Sequence, residues 1–292
     1  MEDSKKETLK NWRIIDVINW GVEYFGNKGF DNPRLDIEIF LQHILNCEKI
    51  DLYINFEKEF SHSDLKKLKE LIKRRLNKEP IQYIIGETSF YGRDFKVNKN
   101  VLIPRPETEI IINVSIEFLS TKKSPNIVDI GTGSGCIGIT LAKEFPLAQV
   151  IAIDYSESIL DIARENAKSL GVKNIDFIKL DFLKENFNYI ADLIVSNPPY
   201  IPSNEMPSLM VDVKEYEPHI ALTDKMDGLQ FYRLFSNKLN NIIKDEGSLI
   251  VEVGNGDHHL KVKKLFEESG HDKVEMIKDY NKDVRVLKVL KG

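Results

Sequence analysis

Residues 129–138 read Asp129-Ile130-Gly131-Thr132-Gly133-Ser134-Gly135-Cys136-Ile137-Gly138. An apolar run at 127–130 leads into this stretch and a helically spaced one at 137–145 leaves it, so it predicts a strand, a tight turn and a helix. Glycines permit the turn and let a ligand reach bare backbone, and the first amides of a helix can receive polar groups. Gly133, Gly135 and Gly138 satisfy the letters of a dinucleotide fingerprint. Asp154 stands near the expected distance of about 20 residues, at the end of the next predicted strand, where a carboxylate can accept two hydrogen bonds from a ribose diol. A tight turn without a ligand is the less favoured alternative, because spacing and acid agree. A helix-capping role for Asp154, ahead of Ser156, stays open.

Outward from this loop the chain alternates. Strands are expected at 150–153, 175–180, 193–195 and 249–253, and helices at 158–170, 229–243 and 259–269, which implies an α/β domain with a mostly parallel sheet covered on both faces. Residues 273–278 and 284–289 read as two close strands, an antiparallel hairpin at the sheet edge. The first 80 residues are helical in pattern. Ile14, Ile18, Val22 and Phe25 share one stripe, Asn32-Pro33 reads as an N-cap and first helical position, and Leu65, Leu68, Leu71, Ile72 and Leu76 follow Ser61 and Ser63 as caps. Pro80 stops that pattern, and residues 81–103 turn β-rich, with Gly86 and Gly92 punctuating one or two hairpins. The expected organisation is a small helical bundle over 1–80, a β-hairpin connector over 81–106 and the α/β domain over 107–292.

With 42% hydrophobic and 30% charged residues the chain can bury a core and is too polar for a membrane protein, and no apolar run approaches the roughly 20 residues of a spanning helix. Met1-Glu2-Asp3-Ser4-Lys5-Lys6 has neither an apolar signal core nor an Arg-rich targeting pattern, so a cytoplasmic location is expected. Cys47 and Cys136 make no disulfide framework and no zinc spacing, and no metal is expected. A net charge of −5 argues against a surface built to track phosphates. The basic run Lys66, Lys67, Lys69, Lys73, Arg74, Arg75 and Lys78 is better explained as a solvated helix face than as an RNA contact. His258, His259 and His271 lack metal spacing or a nucleophile partner and are expected at the surface or at helix ends.

A second constellation is Asp192-Leu193-Ile194-Val195-Ser196-Asn197-Pro198-Pro199-Tyr200. It puts Asn197 at the carboxyl end of a buried strand, where open α/β sheets bind ligands, and two prolines restrict the backbone that follows. A carboxamide beside fixed carbonyls suits a planar NH2 substrate, whose hydrogens it can accept, and Tyr200 could stack on that plane. Plain loop and core roles for the prolines and Tyr200 are the alternative, and the glycine loop tips the balance toward function.

Together the glycine loop, Asp154 and Asn-Pro-Pro-Tyr resemble the class I S-adenosylmethionine-dependent methyltransferases acting on an amide or amine nitrogen. Leu102-Ile103-Pro104-Arg105-Pro106-Glu107-Thr108-Glu109 resembles the signature of the release factor glutamine methyltransferases, the HemK/PrmC family. Residues 86–97, Glu217-Pro218, Ala221-Leu222 and Val251-Glu252-Val253-Gly254 extend that likeness over nearly the whole chain. The resemblance implies a seven-stranded Rossmann-like domain and methyl transfer from S-adenosylmethionine, yielding S-adenosylhomocysteine, to the glutamine amide of the Gly-Gly-Gln motif in peptide chain release factors. It also implies that Asn197, Pro198, Pro199 and Tyr200 hold the substrate amide. Gly131, Thr132, Gly133, Ser134, Gly135, Asp154 and Asn197 would border the cofactor, with Asp181 and Phe182 at the adenine; Phe182 as plain core is an equal alternative. Arg105, Glu107 and Glu109 are expected at the connector junction, as salt bridges or as release factor contacts.

Two departures stand out: Gly256-Asp257-His258, where the family often has a glutamine, and Asn281-Lys282-Asp283-Val284, which lacks a common glycine. A nicotinamide-dependent dehydrogenase leaves Asn-Pro-Pro-Tyr and the terminal hairpin without a role. An adenine N6 methyltransferase would want a basic recognition surface. A ribosomal-protein glutamine methyltransferase is the nearest alternative, disfavoured by residues 104–109, and a pure binding module leaves a whole transfer site unused. A monomer without stable nucleic-acid binding is expected.

Overall fold

The computed structural model describes residues 12–291; the expectation about residues 1–6 lies outside them. The chain divides into two compact units, one ending at Ile85 and the other beginning at Gly86. No helix among the described residues is long and apolar enough to cross a membrane.

The first unit consists of α1 (Ile14–Asn27), α2 (Pro33–Leu45), α3 (Lys49–Ile54), α4 (His62–Leu76) and α5 (Ile81–Ile85). Its core gathers Phe25, Ile37, Phe40, Leu41, Leu52 and Phe60. Gly21 allows α1 and α2 to touch, since a Cβ there would lie 2.5 Å from Ile37 Cγ1. Ser61 Oγ caps α4 by accepting from Asp64 N, and Pro33 opens α2, whose Asn32 makes no side-chain cap. The basic run belongs to α4. Lys67 pairs with Asp64, Arg74 with Glu79, and Arg75 reaches the buried Asp36 at 2.8 Å, so several of its charges stabilise the bundle itself. Residues 81–85 are helical rather than β: Pro80, which lacks an N–H, leads the turn, and Arg74 caps its far end by donating to Tyr83 O and Ile84 O.

The second unit begins with one hairpin, β1 (Glu87–Phe90) and β2 (Arg93–Lys96). It continues through α6 (Glu109–Leu119), β3 (Asn126–Ile130), α7 (Cys136–Glu144), β4 (Gln149–Asp154), α8 (Glu157–Ser169), β5 (Ile175–Lys179) and β6 (Ala191–Ser196). Then follow α9 (Val211–Tyr216), α10 (His219–Leu222), α11 (Gln230–Ile242), β7 (Ile243–Glu252), α12 (His258–Glu268), β8 (Val274–Lys278) and β9 (Val284–Leu290). Strands β3 to β9 form one seven-stranded sheet of order β5-β4-β3-β6-β7-β9-β8, parallel up to β7 and antiparallel at β9 and β8, separate from the β1-β2 hairpin. Alternate strand residues feed two cores: Ile127, Leu193, Val195 and Ile250 pack under α6 and α7, while Val128, Ile194, Leu249 and Val251 pack under α11 and α12.

Helix α6 was not expected. Its Ile110-Ile111-Ile112 run is β-branched and apolar, which favours a strand locally, but as a helix it buries Ile110, Ile111 and Val114 while Asn113 and Glu117 stay exposed on the opposite face. Helix α11 ends at Ile242 and β7 starts at once, six residues earlier than the apolar run at 249–253 suggests.

Candidate active site

Strand β3 is followed outward by β4 and β5, and the chain then returns across β3 to β6. Helices after β3 and β6 therefore leave in opposite directions, and a crevice opens at the carboxyl ends of the strands. A cavity of about 570 Å³ lies there, lined among others by Gly131, Gly133, Asp154, Phe182, Asn197 and Pro199.

The glycine loop folds over the end of β4. Gly131 N and Thr132 N both donate to Ile153 O at 3.0 Å, and Gly135 N donates to Thr132 O at 2.8 Å. Gly135 starts α7 at φ +83°, where a Cβ would meet Ile139 Cδ1 at 2.5 Å, so no other residue fits without rearrangement. Beneath the loop, Asp129 Oδ2 accepts from Thr132 Oγ1 at 2.6 Å and from Gly138 N at 2.9 Å, and burial pushes its pKa up to about 6. Asn166 on α8 holds the other side: Nδ2 donates to Ser134 O at 2.8 Å and to Lys96 O at 3.0 Å, while Oδ1 accepts from Lys96 N at 2.7 Å.

Asp154 closes the cradle. Its Oδ2 accepts from Gly133 N at 3.0 Å and its Oδ1 from Tyr155 N at 2.8 Å, yet burial still pushes the carboxyl up to about 6. Such a carboxylate is under-compensated, and two hydroxyl donors from a ribose would stabilise it. Phe182 is both wall and core, lining the cavity while packing at 5.0 Å from the Phe235 ring. Asp181 borders the cavity as well, with Oδ1 turned back to Leu183 N and Oδ2 on Lys184 Nζ. Glycine backbone, a buried acid at the end of β4 and an aromatic wall fit an adenosyl group.

Across the cavity, Ser196 Oγ donates to Ile130 O at 2.7 Å and locks the end of β6 to β3. Asn197 follows, half-buried, with Nδ2 donating to Thr108 Oγ1 at 3.2 Å. Thr108 Oγ1 donates to Glu252 Oε2 at 2.6 Å, and Tyr200 OH donates to Glu252 Oε1 at 3.2 Å. Burial pushes the Glu252 carboxyl up to about 7, against the pull of these two hydroxyls. Pro199 lines the cavity, whereas Pro198 is buried and Tyr200 sits behind the wall, tied to Glu252 with its ring 5.9 Å from that of His258. The cavity thus brings together the glycine loop, Asp154, Asp181, Phe182, Asn197 and Pro199, and Tyr200 supports the loop from behind.

Two of the histidines lie at helix ends, as expected, but are buried rather than at the surface: His258 opens α12 and His271 follows its last turn. His258 Nδ1 accepts from Gly254 N at 3.1 Å, so Nε2 carries the proton and donates to Gly228 O at 3.2 Å; burial lowers its pKa. The Gly256–His258 departure therefore supplies a tie between two loops. His271 Nε2 meets Ser236 O at 2.9 Å. Their carbonyl partners lie on distant segments, which no local spacing announces. Of the junction residues, Arg105 pairs with the buried Glu217 at 2.5 Å and lines the cavity, and Glu109 Oε1 accepts from Tyr91 N at 2.8 Å. Thr108, Asn166 and Glu252 acquire roles only here. The signals available were an acid inside the apolar run Val251-Glu252-Val253 and the place of Thr108 within the 102–109 stretch.

Two family models match the chain: a PrmC N-terminal domain over residues 16–86 and a methyltransferase domain over residues 121–288. The chain is 38% identical to a release factor glutamine methyltransferase of Fusobacterium nucleatum, over 98% of this chain and 79% of that one. It is also 38% identical to one of Chlorobaculum tepidum (94% and 95% covered) and 36% identical to one of Bacillus cereus (94% and 98%). Among solved structures, a T. thermophilus 16S rRNA N2 G1207 methyltransferase in complex with AdoMet and guanosine superposes with a TM-score of 0.51 at 17% identity, covering 70% of this chain and 50% of that one. A human methyltransferase 10 domain containing protein gives 0.51 at 16% identity, covering 68% and 88%. At these identities the two structures speak for the fold alone, which is the class I S-adenosylmethionine-dependent methyltransferase fold. With these sequence relatives matching 94–98% of it at 36–38% identity, this chain belongs to the release factor glutamine methyltransferase family.

Proposed function

We propose that this protein methylates the side-chain amide nitrogen (N5) of the glutamine in the Gly-Gly-Gln motif of peptide chain release factors, using S-adenosylmethionine. The observation that carries it is Asn197 at the cavity wall, its amide hydrogens turned into the protein toward Thr108. Oδ1 is then the end offered to a substrate. A glutamine amide is a poor nucleophile because its nitrogen shares its lone pair with the carbonyl. Asn197 Oδ1 and the Pro198 carbonyl accept its two hydrogens and hold the nitrogen in line with the donor, so positioning supplies most of the rate. The same two oxygens face the positive charge that develops on nitrogen. When bound, the cofactor supplies a sulfonium methyl and leaves as S-adenosylhomocysteine. Gly131 to Gly135 cradle it, Asp154 takes the ribose hydroxyls, and Asp181 and Phe182 border the adenine. The amide proton leaves to solvent after transfer, so no side chain has to act as a base. Tyr200 and Pro199 shape the loop that carries Asn197.

Residues 1–80 serve to orient the release factor, 81–106 act as the connector and 107–292 as the transferase domain, in a cytoplasmic monomer that forms no stable complex with nucleic acid. Mass spectrometry of a recombinant release factor incubated with the protein and S-adenosylmethionine tests the reaction, with a Gln→Ala change in its Gly-Gly-Gln motif as control. One added methyl on that glutamine, absent from the control, is expected. No methyl on the factor despite bound cofactor would refute the substrate and turn attention to ribosomal protein or nucleic-acid adenine. Asn197→Ala is expected to lose transfer about 100-fold while binding cofactor normally.

A further inference from the structure

We propose that Glu252, acting through Thr108, is the positioning residue that decides which end of the Asn197 carboxamide faces the substrate. This rests on the acceptor role of Asn197 given above. The two ends of a carboxamide are nearly equal in shape and opposite in hydrogen-bonding sense. Turned by half a rotation, Asn197 would present its own NH2 to the substrate NH2 and repel it. Thr108 cannot make the choice alone, because its hydroxyl both donates and accepts. Glu252 can. Above its pKa of about 7 the Glu252 carboxylate is ionised and only accepts, so the one proton of Thr108 is then committed to Glu252 Oε2, at 2.6 Å. Only lone pairs of Thr108 remain for Asn197, which must offer Nδ2, as it does at 3.2 Å.

The relay is sheltered: Thr108 and Glu252 are each 2% exposed, leaving little room for water to scramble the polarity. Its parts come from three places, the short 3-10 turn Pro106–Thr108, the end of β6 and the end of β7. The second oxygen of Glu252 accepts from Tyr200 OH, so one carboxylate orients Asn197 and anchors the far end of the same Asn-Pro-Pro-Tyr loop. A buried acid held high in pKa by its surroundings is costly for the fold, and this relay is a use that accounts for it.

The test is a pair of substitutions in the full-length protein, assayed for kcat on the release factor and for S-adenosylmethionine affinity by calorimetry. Glu252→Met replaces the acid with an apolar side chain of similar length. The Thr108 proton then has Asn197 Oδ1 as its remaining partner, and the carboxamide is turned the wrong way. Expected is a fall in kcat of about 100-fold with cofactor affinity within about twofold. Adding Thr108→Val removes the misdirecting donor, so the double variant should be at least about fivefold faster than Glu252→Met alone. A merely structural role for the two residues gives the opposite order, with the double variant slower. Wild-type kcat in Glu252→Met, or a double variant no faster than Glu252→Met, overturns the relay. If Glu252→Met does not bind cofactor, Thr108→Val against Thr108→Ser decides: the valine variant should lose at least about tenfold in kcat and the serine variant recover most of it, and equal rates refute the proposal. Absence of methylation by the wild-type protein would instead refute the substrate assignment, which keeps the two failures apart.

Discussion

Gly228 is where one added methyl group should disable the site without touching it. It lies in the left-handed region at φ +77°, and a Cβ there would fall inside contact distance of Tyr200 O and only 2.8 Å from the Tyr200 carbonyl carbon. Both are backbone atoms and cannot rotate away. Ordinary carbon contacts begin near 3.5 Å, so the 199–201 segment must retreat by about 0.7 Å or more. The left-handed conformation costs an alanine ~1–2 kcal/mol and the forced shift ~1–3 kcal/mol, together ~2–5 kcal/mol of stability. The displaced backbone is the loop that holds Asn197 and Pro198, and a misplacement near 1 Å can cost about 100-fold in rate. Gly171→Ala is the matched control: φ is +68° and nothing lies within 4 Å of the added carbon, so only the conformational cost applies, in a surface turn. Urea unfolding of both variants, with kcat and cofactor affinity measured alongside, separates the terms. Gly228→Ala should be less stable than Gly171→Ala and slower in kcat by ten- to a hundredfold. Equal stabilities together with wild-type kcat in Gly228→Ala would refute the crossing of these two loops as the support of the site.

Asp154→Asn should weaken S-adenosylmethionine binding by about 10- to 100-fold, the worth of hydrogen bonds to a charged acceptor. In the unliganded wild type this carboxyl titrates at about 6 and the ribose hydroxyls prefer its ionised form, so affinity should decline as pH falls through 6, and calorimetry of the asparagine variant should show that decline missing. Glu252 binds its proton more tightly folded, at about 7, than unfolded, near 4.5. The stability it contributes is therefore whole below 4.5 and lost as pH rises through 7, up to ~3 kcal/mol. Glu252→Gln should gain on the wild type in urea midpoint between pH 5 and pH 8, and parallel curves would contradict the assignment. Asn166→Ala should cost ~3 kcal/mol in urea unfolding, since it leaves Lys96 N and the carbonyls of Lys96 and Ser134 without their buried partner.

The alternation of apolar runs and amphipathic helices from residue 126 onward is a local property, because each strand and helix must show its own face to the core. By itself, therefore, the sequence determined the parallel sheet, the terminal antiparallel hairpin, the glycine turn between β3 and α7, the acid at the end of β4 and the polar residue at the end of β6. Helix α6 was missed because the β-branched Ile110-Ile111-Ile112 run favours a strand locally, although Glu109, Asn113 and Glu117 at i, i+4 and i+8 mark the outward face of a helix. Nor was the short helix after Pro80, whose far end depends on the guanidinium of Arg74 from the preceding helix. The tertiary structure alone decided what surrounds Asn197. Thr108 stands 89 residues before it, and Thr108 and Glu252 are 144 residues apart, with no pattern in the chain linking them. Hydrogen-bond polarity passes between side chains through space, so the direction in which the Asn197 carboxamide points is settled only when three distant segments close on one another.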